Sequence, residues 1–298
     1  RMKDMTPAER SLLRNRAEGL AVGLPPLLVS AERVAATVLQ GVHGRRRVGQ
    51  GETFWQYRPY GPSDSAAQID WRQSARSRHV YVRETEWEAA QTVWLWADSS
   101  DSMEYRSLPT LPTKLERAQL LLLALAVMLM RGGERFALLG SGSAPSTGRA
   151  ALYRVTDSLI YDATDMANLP TADSLPRSAQ VVIIGDFLEP ISRVREAVLG
   201  LAAQGLGGQI VHLLDPAEIE LPFAGRVRFQ GAEGEDDSLV NRVEAVRPDY
   251  QSRIEGHQAA IREIAQTAGW GVIAHRTDTT AESCLLSLYL ALALKIGR

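Results

Sequence analysis

The chain has 298 residues, with 33 Lys or Arg against 35 Asp or Glu and a net charge of −2. Near-neutrality argues against wholesale binding to nucleic acid or to an anionic membrane, and 45% hydrophobic with 23% charged residues is ordinary for a soluble globular chain. Cys284, the single cysteine, excludes an intrachain disulfide and a Cys-based zinc site and fits a reducing compartment; inside the apolar run Cys284–Leu294 it reads as a small buried hydrophobe.

The N-terminal stretch is polar and charged, without an apolar signal-peptide core. Residues 7–40 read as helical. Thr6 caps a first segment, with Pro7 in its first turn and Glu9 three residues after Thr6. Gly23-Leu24-Pro25-Pro26 interrupts, and Ser30 before Ala31-Glu32 opens a second helix ending near Gly41. Residues 41–90 change character. Over 41–83, Arg45, Arg46, Arg47, Arg58, Arg72, Arg76, Arg78 and Arg83 outnumber Glu52, Asp64 and Asp70. Thr53–Arg58 and His79–Glu86 alternate as strands do, and Gly61-Pro62-Ser63-Asp64 is a turn. This predicts a small β-rich subdomain at 41–90, between an N-terminal helical segment at 1–40 and a larger domain at 91–298.

From residue 91 strands and helices alternate. Thr92–Ala97 is a buried strand, and Pro112–Arg131 a helix ended by Gly132-Gly133. Arg135–Leu139 is a strand, Ala150–Ile160 a helix, Gln180–Gly185 an apolar strand, Ile191–Gln204 a helix and Gln209–Leu214 a strand. Arg226–Phe229 reads as an edge strand, and Glu233-Gly234-Glu235-Asp236-Asp237 as a solvated acidic loop. Val246–Ala268 is a long amphipathic helix, Trp270–His275 the last strand and Thr280–Leu294 the closing helix. The pattern predicts an α/β, Rossmann-like fold with a mostly parallel sheet flanked by helices. Such sheets bind ligands at the carboxyl ends of their strands. The apolar runs Leu120–Met130 and Cys284–Leu294 fall short of the ~20 residues that span a bilayer, so both read as buried helices and a cytoplasmic protein is expected.

Two strand ends carry the chemistry. Trp94-Leu95-Trp96-Ala97 runs into Asp98, Ser100 and Ser102, an Asp-x-Ser-x-Ser pattern. Val181-Val182-Ile183-Ile184-Gly185 runs into Asp186. If these strands are neighbours, Asp98 and Asp186 sit side by side, and a divalent cation relieves their repulsion. Hard carboxylate and hydroxyl oxygens suit Mg²⁺ or Mn²⁺. The tripeptide pattern by itself reads as an Asx or Ser turn; the buried strand before it and the second strand ending in Asp favour a site.

The arrangement resembles the metal-ion-dependent adhesion site of von Willebrand factor A domains. That resemblance implies a metal held by Asp98, Ser100, Ser102 and Asp186, with a Thr from a later loop and an open position for a partner's carboxylate. Thr164 stands where that Thr is expected, although Ala163 replaces the usual Gly before it, and Thr147 competes. Upstream, Gly49-Gln50-Gly51-Glu52, Arg58-Pro59-Tyr60, Ile69-Asp70-Trp71-Arg72 and Val82-Arg83-Glu84 resemble the signature of a bacterial family, domain of unknown function 58. Asp215-Pro216-Ala217-Glu218, Leu221-Pro222-Phe223 and Arg276-Thr277-Asp278 resemble it as well. Membership implies action beside a MoxR-type AAA+ ATPase, in assembly or maturation of other proteins.

Other features have plainer readings. Asp70 and Trp71 read as structural, with Trp71 packed and Asp70 paired to Arg58, Arg72 or Arg76. Arg45-Arg46-Arg47 reads as a solvated basic loop. His43, His79, His212, His257 and His275 lack metal-ligand spacing, and no phosphate loop or nucleophile elbow is present. The expected function is therefore a non-enzymatic, metal-dependent protein-interaction module. The alternative is a metal-dependent hydrolase such as a phosphatase with Asp98 as nucleophile or ligand. It is weakened because Ser100 stands where a dehalogenase-type site has its second Asp.

Overall fold

A computed structural model describes residues 26–43, 54–60, 69–77, 79–85, 91–161, 169–171, 175–231 and 237–296. The predicted cap at Thr6, the basic run Arg45–Arg47, the turn at 61–64, Thr164 and most of the acidic loop at 233–237 lie outside the described residues. The chain divides into two compact units, Gln40–Ala90 and Arg1–Leu39 together with Gln91–Arg298.

The smaller unit holds an antiparallel ribbon of β1 (Phe54–Pro59) and β2 (Tyr81–Thr85), with Tyr57 opposite Arg83 and a register shift between Phe54 and Gln56. Between them, the Ile-Asp-Trp element leads into the one-turn helix α2 (Trp71–Ser74). Asp70 N–H donates to Tyr81 O, and Ser74 Oγ donates to Asp70 O at 2.7 Å while accepting from Tyr81 N–H at 2.9 Å. This backbone lacing holds α2 against β2. Trp71, which opens this turn, is exposed.

Helix α1 (Pro26–His43) starts four residues before the expected Ser30. Proline needs no hydrogen-bond partner for its nitrogen in a first turn, so the helix begins at Pro26 and takes Ser30 into its interior. Leu28, Ala31, Val34, Ala35 and Val38 form its buried stripe.

The larger unit is built on five parallel strands: β3 (Thr92–Ala97), β4 (Arg135–Leu138), β5 (Gln180–Gly185), β6 (Gly207–Leu214) and β9 (Gly271–Arg276). Their order across the sheet is β4-β3-β5-β6-β9, with β4 and β9 at the edges. Alternate side chains face opposite ways. Trp94, Trp96, Val181, Ile183 and Ile210 join a core with Val194, Val198 and Leu201 of α5 (Ile191–Ala203) and Ile261, Ile264 and Ala265 of α7 (Val243–Ala268). The other face is covered by α3 (Lys114–Gly132), α4 (Gly148–Tyr161) and α8 (Ala281–Ile296). The α/β class and the mostly parallel sheet flanked by helices are thus as expected. Helix α3 is apolar nearly all round because it lies under other helices: Leu121–Leu129 are buried without interruption. The short helix α6 (Pro216–Glu220) follows β6.

One strand was misplaced by the sequence reading. Val227–Phe229 (β7) does not edge the main sheet. It pairs antiparallel with β8 (Ser238–Val240) in a separate two-stranded ribbon. Among the described residues no helix is long and apolar enough to cross a membrane.

Candidate functional site

In chain order the five strands of the sheet stand 2-1-3-4-5, so the chain steps from β3 outward to β4 and then back past β3 to β5. Loops leaving β3 and β5 therefore diverge to opposite faces and open a crevice at their carboxyl ends, the position where doubly wound sheets take ligands. Asp98 and Asp186 are the residues immediately beyond those two strand ends.

The register Ala97↔Ile184 sets the two ends level, and Asp98 N–H donates to Ile184 O at 2.8 Å. Both carboxylates are enclosed, with Asp98 3% and Asp186 1% exposed. Gly185 makes the close approach possible: a Cβ there would stand 2.8 Å from Asp98 Cβ, nearer than carbon atoms pack. Phe187 follows at φ 53°, a left-handed conformation costly to a residue with a Cβ. Its ring is anchored against Trp96 at 6.5 Å and His212 at 6.1 Å, and this holds the turn that presents Asp186.

The hydroxyls join the same cluster. Ser100 N–H donates to Asp98 Oδ1 at 2.9 Å, folding the chain after β3 back on itself. A one-turn 3₁₀ helix at Asp101–Glu104 then buries Ser102. Ser102 Oγ donates to Asp186 Oδ2 at 2.7 Å. Ser100 Oγ and Ser102 Oγ lie 3.1 Å apart. Ser102 has one proton and gives it to Asp186, so Ser100 is the donor between the two hydroxyls. Asp98, Ser100, Ser102 and Asp186 thus form one buried oxygen cluster drawn from both strand ends.

Those oxygens suit a hard divalent ion. Adjacent ligands of an octahedral Mg²⁺ with bonds of ~2.1 Å stand about 3.0 Å apart, close to the Ser100–Ser102 spacing. Among the described residues no three His, Cys, Asp or Glu side chains gather into a metal cage. Two carboxylates and two hydroxyls match instead an ion that keeps part of its water shell. Thr147 does not belong here. Its neighbour Ser146 pairs with Phe136 on the outer edge of β4, level with Val93, five positions and roughly 16 Å along the strand direction from Asp98.

Three more side chains stand at the cluster: Lys114, which the sequence did not single out, and Glu218 and His212, which it did not place at the site. Lys114, the first residue of α3, is wholly buried and donates to Asp186 Oδ2 at 2.7 Å and to Glu218 Oε1. Burial alone lowers the pKa of an ammonium, but the Asp186 and Glu218 carboxylates outweigh it and raise the pKa of Lys114. Burial pushes the Glu218 carboxyl upward against the opposing pull of Lys114. Glu218 is held in turn by its place in a capping box on α6, where Glu218 Oε2 accepts from Asp215 N–H at 2.8 Å and Asp215 Oδ1 accepts from Ala217 N–H. His212 is the third. Its Nε2 lies 3.1 Å from Asp186 O, and since a carbonyl only accepts, the ring proton sits on Nε2. Burial and neighbouring His257 depress its pKa to about 4, so the ring is neutral near pH 7. The available signal for Lys114 was its position: a cation at a helix N-terminus opposes the helix dipole and calls for a partner.

Comparison with known proteins places this architecture in context. The family model described as protein of unknown function DUF58 matches residues 56–260. The uncharacterized protein Rv1480 of Mycobacterium tuberculosis is 28% identical over 274 residues, covering 87% of this chain and 85% of that protein. The uncharacterized protein MAV169 of Mycobacterium avium is 31% identical over 102 residues, 34% of this chain and 59% of its own length. Among solved structures, the conserved hypothetical protein BatB from Bacteroides thetaiotaomicron matches at 15% identity with a TM-score of 0.40, over 70% of this chain and all of that one. The SpRpn10 VWA domain matches at 8% identity with a TM-score of 0.33, over 67% of this chain and 95% of its own.

Proposed function

This chain belongs to the family of proteins of unknown function DUF58, and on that premise we propose that it is a non-enzymatic, divalent-metal-dependent protein-interaction module. The observation that carries the reading is the oxygen cluster at the switch point of the sheet, where Ser102 Oγ bridges by 2.7 Å from the β3 exit to Asp186 at the β5 exit. Asp98, Ser100, Ser102 and Asp186 hold Mg²⁺ or Mn²⁺, Thr164 completes the set, and a carboxylate from the partner takes the open position. The ion supplies positive charge that a partner's acidic side chain can address. The partner is a MoxR-type AAA+ ATPase or its client, and the role is assembly or maturation of other proteins; family resemblance supports this part.

Titration of wild type and Asp98→Ala with Mg²⁺ and Mn²⁺, read by thermal shift, tests the site. An ion that binds only the native state at a hundred times its Kd stabilises by ~2.7 kcal/mol. Saturable stabilisation is expected in wild type and not in the variant. Capture of a MoxR-type AAA+ ATPase with and without chelator tests the function. Binding that is unchanged in Asp98→Ala overturns the proposal, and phosphate-ester turnover lost with Asp98 would make the protein a hydrolase instead.

A further inference from the structure

Lys114 sits where a cation is least welcome unless it has a task. It is the first residue of a 19-residue helix, behind the Thr113 cap, at the end that carries partial positive charge. Its side chain has no exposure to solvent. It is one of only three lysines in the chain, with Lys3 and Lys295, against thirty arginines. Arginine would present a wide planar fork; the compact ammonium fits a small enclosed space and points its protons at separate acceptors. One goes to Asp186 Oδ2 at 2.7 Å and another to Glu218 Oε1, with the Tyr105 ring centroid 5.9 Å away.

The oxygen that Lys114 contacts is the one that Ser102 contacts. Asp186 Oδ2 therefore receives a hydroxyl proton from the β3 side and an ammonium proton from α3, while Asp186 Oδ1 accepts, among the described residues, from Leu188 N–H at 3.3 Å. A positive charge within 3 Å of this carboxylate is what a bound divalent ion would supply. We infer that Lys114 is the resident counter-cation of the site and sets how strongly the oxygen cluster demands an external ion. With Lys114 in place, Asp186 has a charge partner without metal, and a Mg²⁺ ion held at the cluster would share Asp186 with the ammonium. Glu218 is the second anchor of Lys114 and draws the ammonium away from Asp186 as the ion enters. The choice of Mg²⁺ as competitor rests on the function proposed above; the Lys114 ion pairs rest on geometry alone.

The test is a Mg²⁺ titration of wild type, Lys114→Met, and Lys114→Met combined with Asp98→Ala, read by thermal shift and calorimetry. Removing a full charge at this distance should lower the Mg²⁺ midpoint of Lys114→Met by at least about tenfold, and Asp98→Ala should abolish that gain. If Lys114→Met is unfolded in chelator, recovery of its native circular dichroism with Mg²⁺ is the readout. A response in Lys114→Met with none in wild type supports the inference and overturns metal dependence of the wild-type protein. Equal midpoints overturn the inference and leave the metal site standing. No response in either overturns both. A second measurement needs no variant at the site: with ¹⁵N-lysine labelling, the three Nζ signals are assigned through Lys3→Arg and Lys295→Arg. Saturating Mg²⁺ should shift the Lys114 signal, and a stationary signal in a protein that binds Mg²⁺ overturns the inference.

Discussion

A neutral imidazole buried in a strand makes stability depend on pH. His275 in β9 is buried, with Nδ1 3.1 Å from Thr279 Oγ1. Burial, and then the Arg117 charge, depress its pKa to about 4, with Asp278 pulling the other way. The ordinary value is ~6.5. Between those values the unfolded chain binds the proton and the folded chain does not, so this contribution is present above pH 6.5 and lost as pH falls toward 4. It amounts to about 2 kcal/mol between pH 7.5 and pH 5. Urea unfolding at both pH values should show a pH-dependent loss that is smaller by this amount in His275→Asn; equal losses in the two proteins would refute the assignment. At the same scale, Asp98, Ser100, Ser102 and Asp186 were visible in the sequence because each follows a recognisable apolar strand. The placement of Lys114, Glu218 and His212 at the same site was not legible, because their neighbours lie 72, 104 and 26 positions away in the chain.

Helix α3 shows how an element positions a site residue. Thr113 Oγ1 accepts from Glu116 N–H at 3.1 Å, and Glu116 Oε2 accepts from Thr113 N–H at 2.8 Å, a complete capping box. Lys114 N–H donates back to Tyr105 O at 3.2 Å. Together these bonds stop the helix one residue before Lys114 and aim that residue at Asp186. The sequence placed the start at Pro112; the Thr113-x-x-Glu116 pair is the stronger signal, since it satisfies two of the free N–H groups of the first turn. Thr113→Ala should cost about 1 kcal/mol in urea unfolding. The other end was legible: Gly133 adopts φ 78° and its N–H returns to Leu129 O and Met130 O, as the Gly132-Gly133 pair foretold.

At the scale of the whole molecule the sheet order distributes both stability and function. β5 is bonded on both sides and every one of its residues is buried, while β4 and β9 each have one neighbour in the sheet. Amide exchange of Val181–Ile184 should therefore require global unfolding, and β9 should exchange by smaller openings. Hydrogen exchange followed by mass spectrometry checks this; slower exchange in β9 than in β5 would contradict the order. The same order puts the crevice between β3 and β5 and nowhere else along the sheet, since that is where successive crossovers change direction.

The sequence by itself determined most of the local elements and singled out the carboxylates and hydroxyls at the two strand ends. Hydrophobic period, glycine stops and Asp at strand ends are properties of short stretches of chain, and they survive being read one at a time. It could not decide which strands adjoin, that Val227–Phe229 belongs to a separate ribbon, or that Thr147 lies away from the cluster. Only the tertiary structure brought Lys114 to Asp186 and Glu218. A buried ion pair has no periodicity and no fixed spacing; it arises where packing removes water from charges on distant segments, and that outcome depends on the whole fold at once.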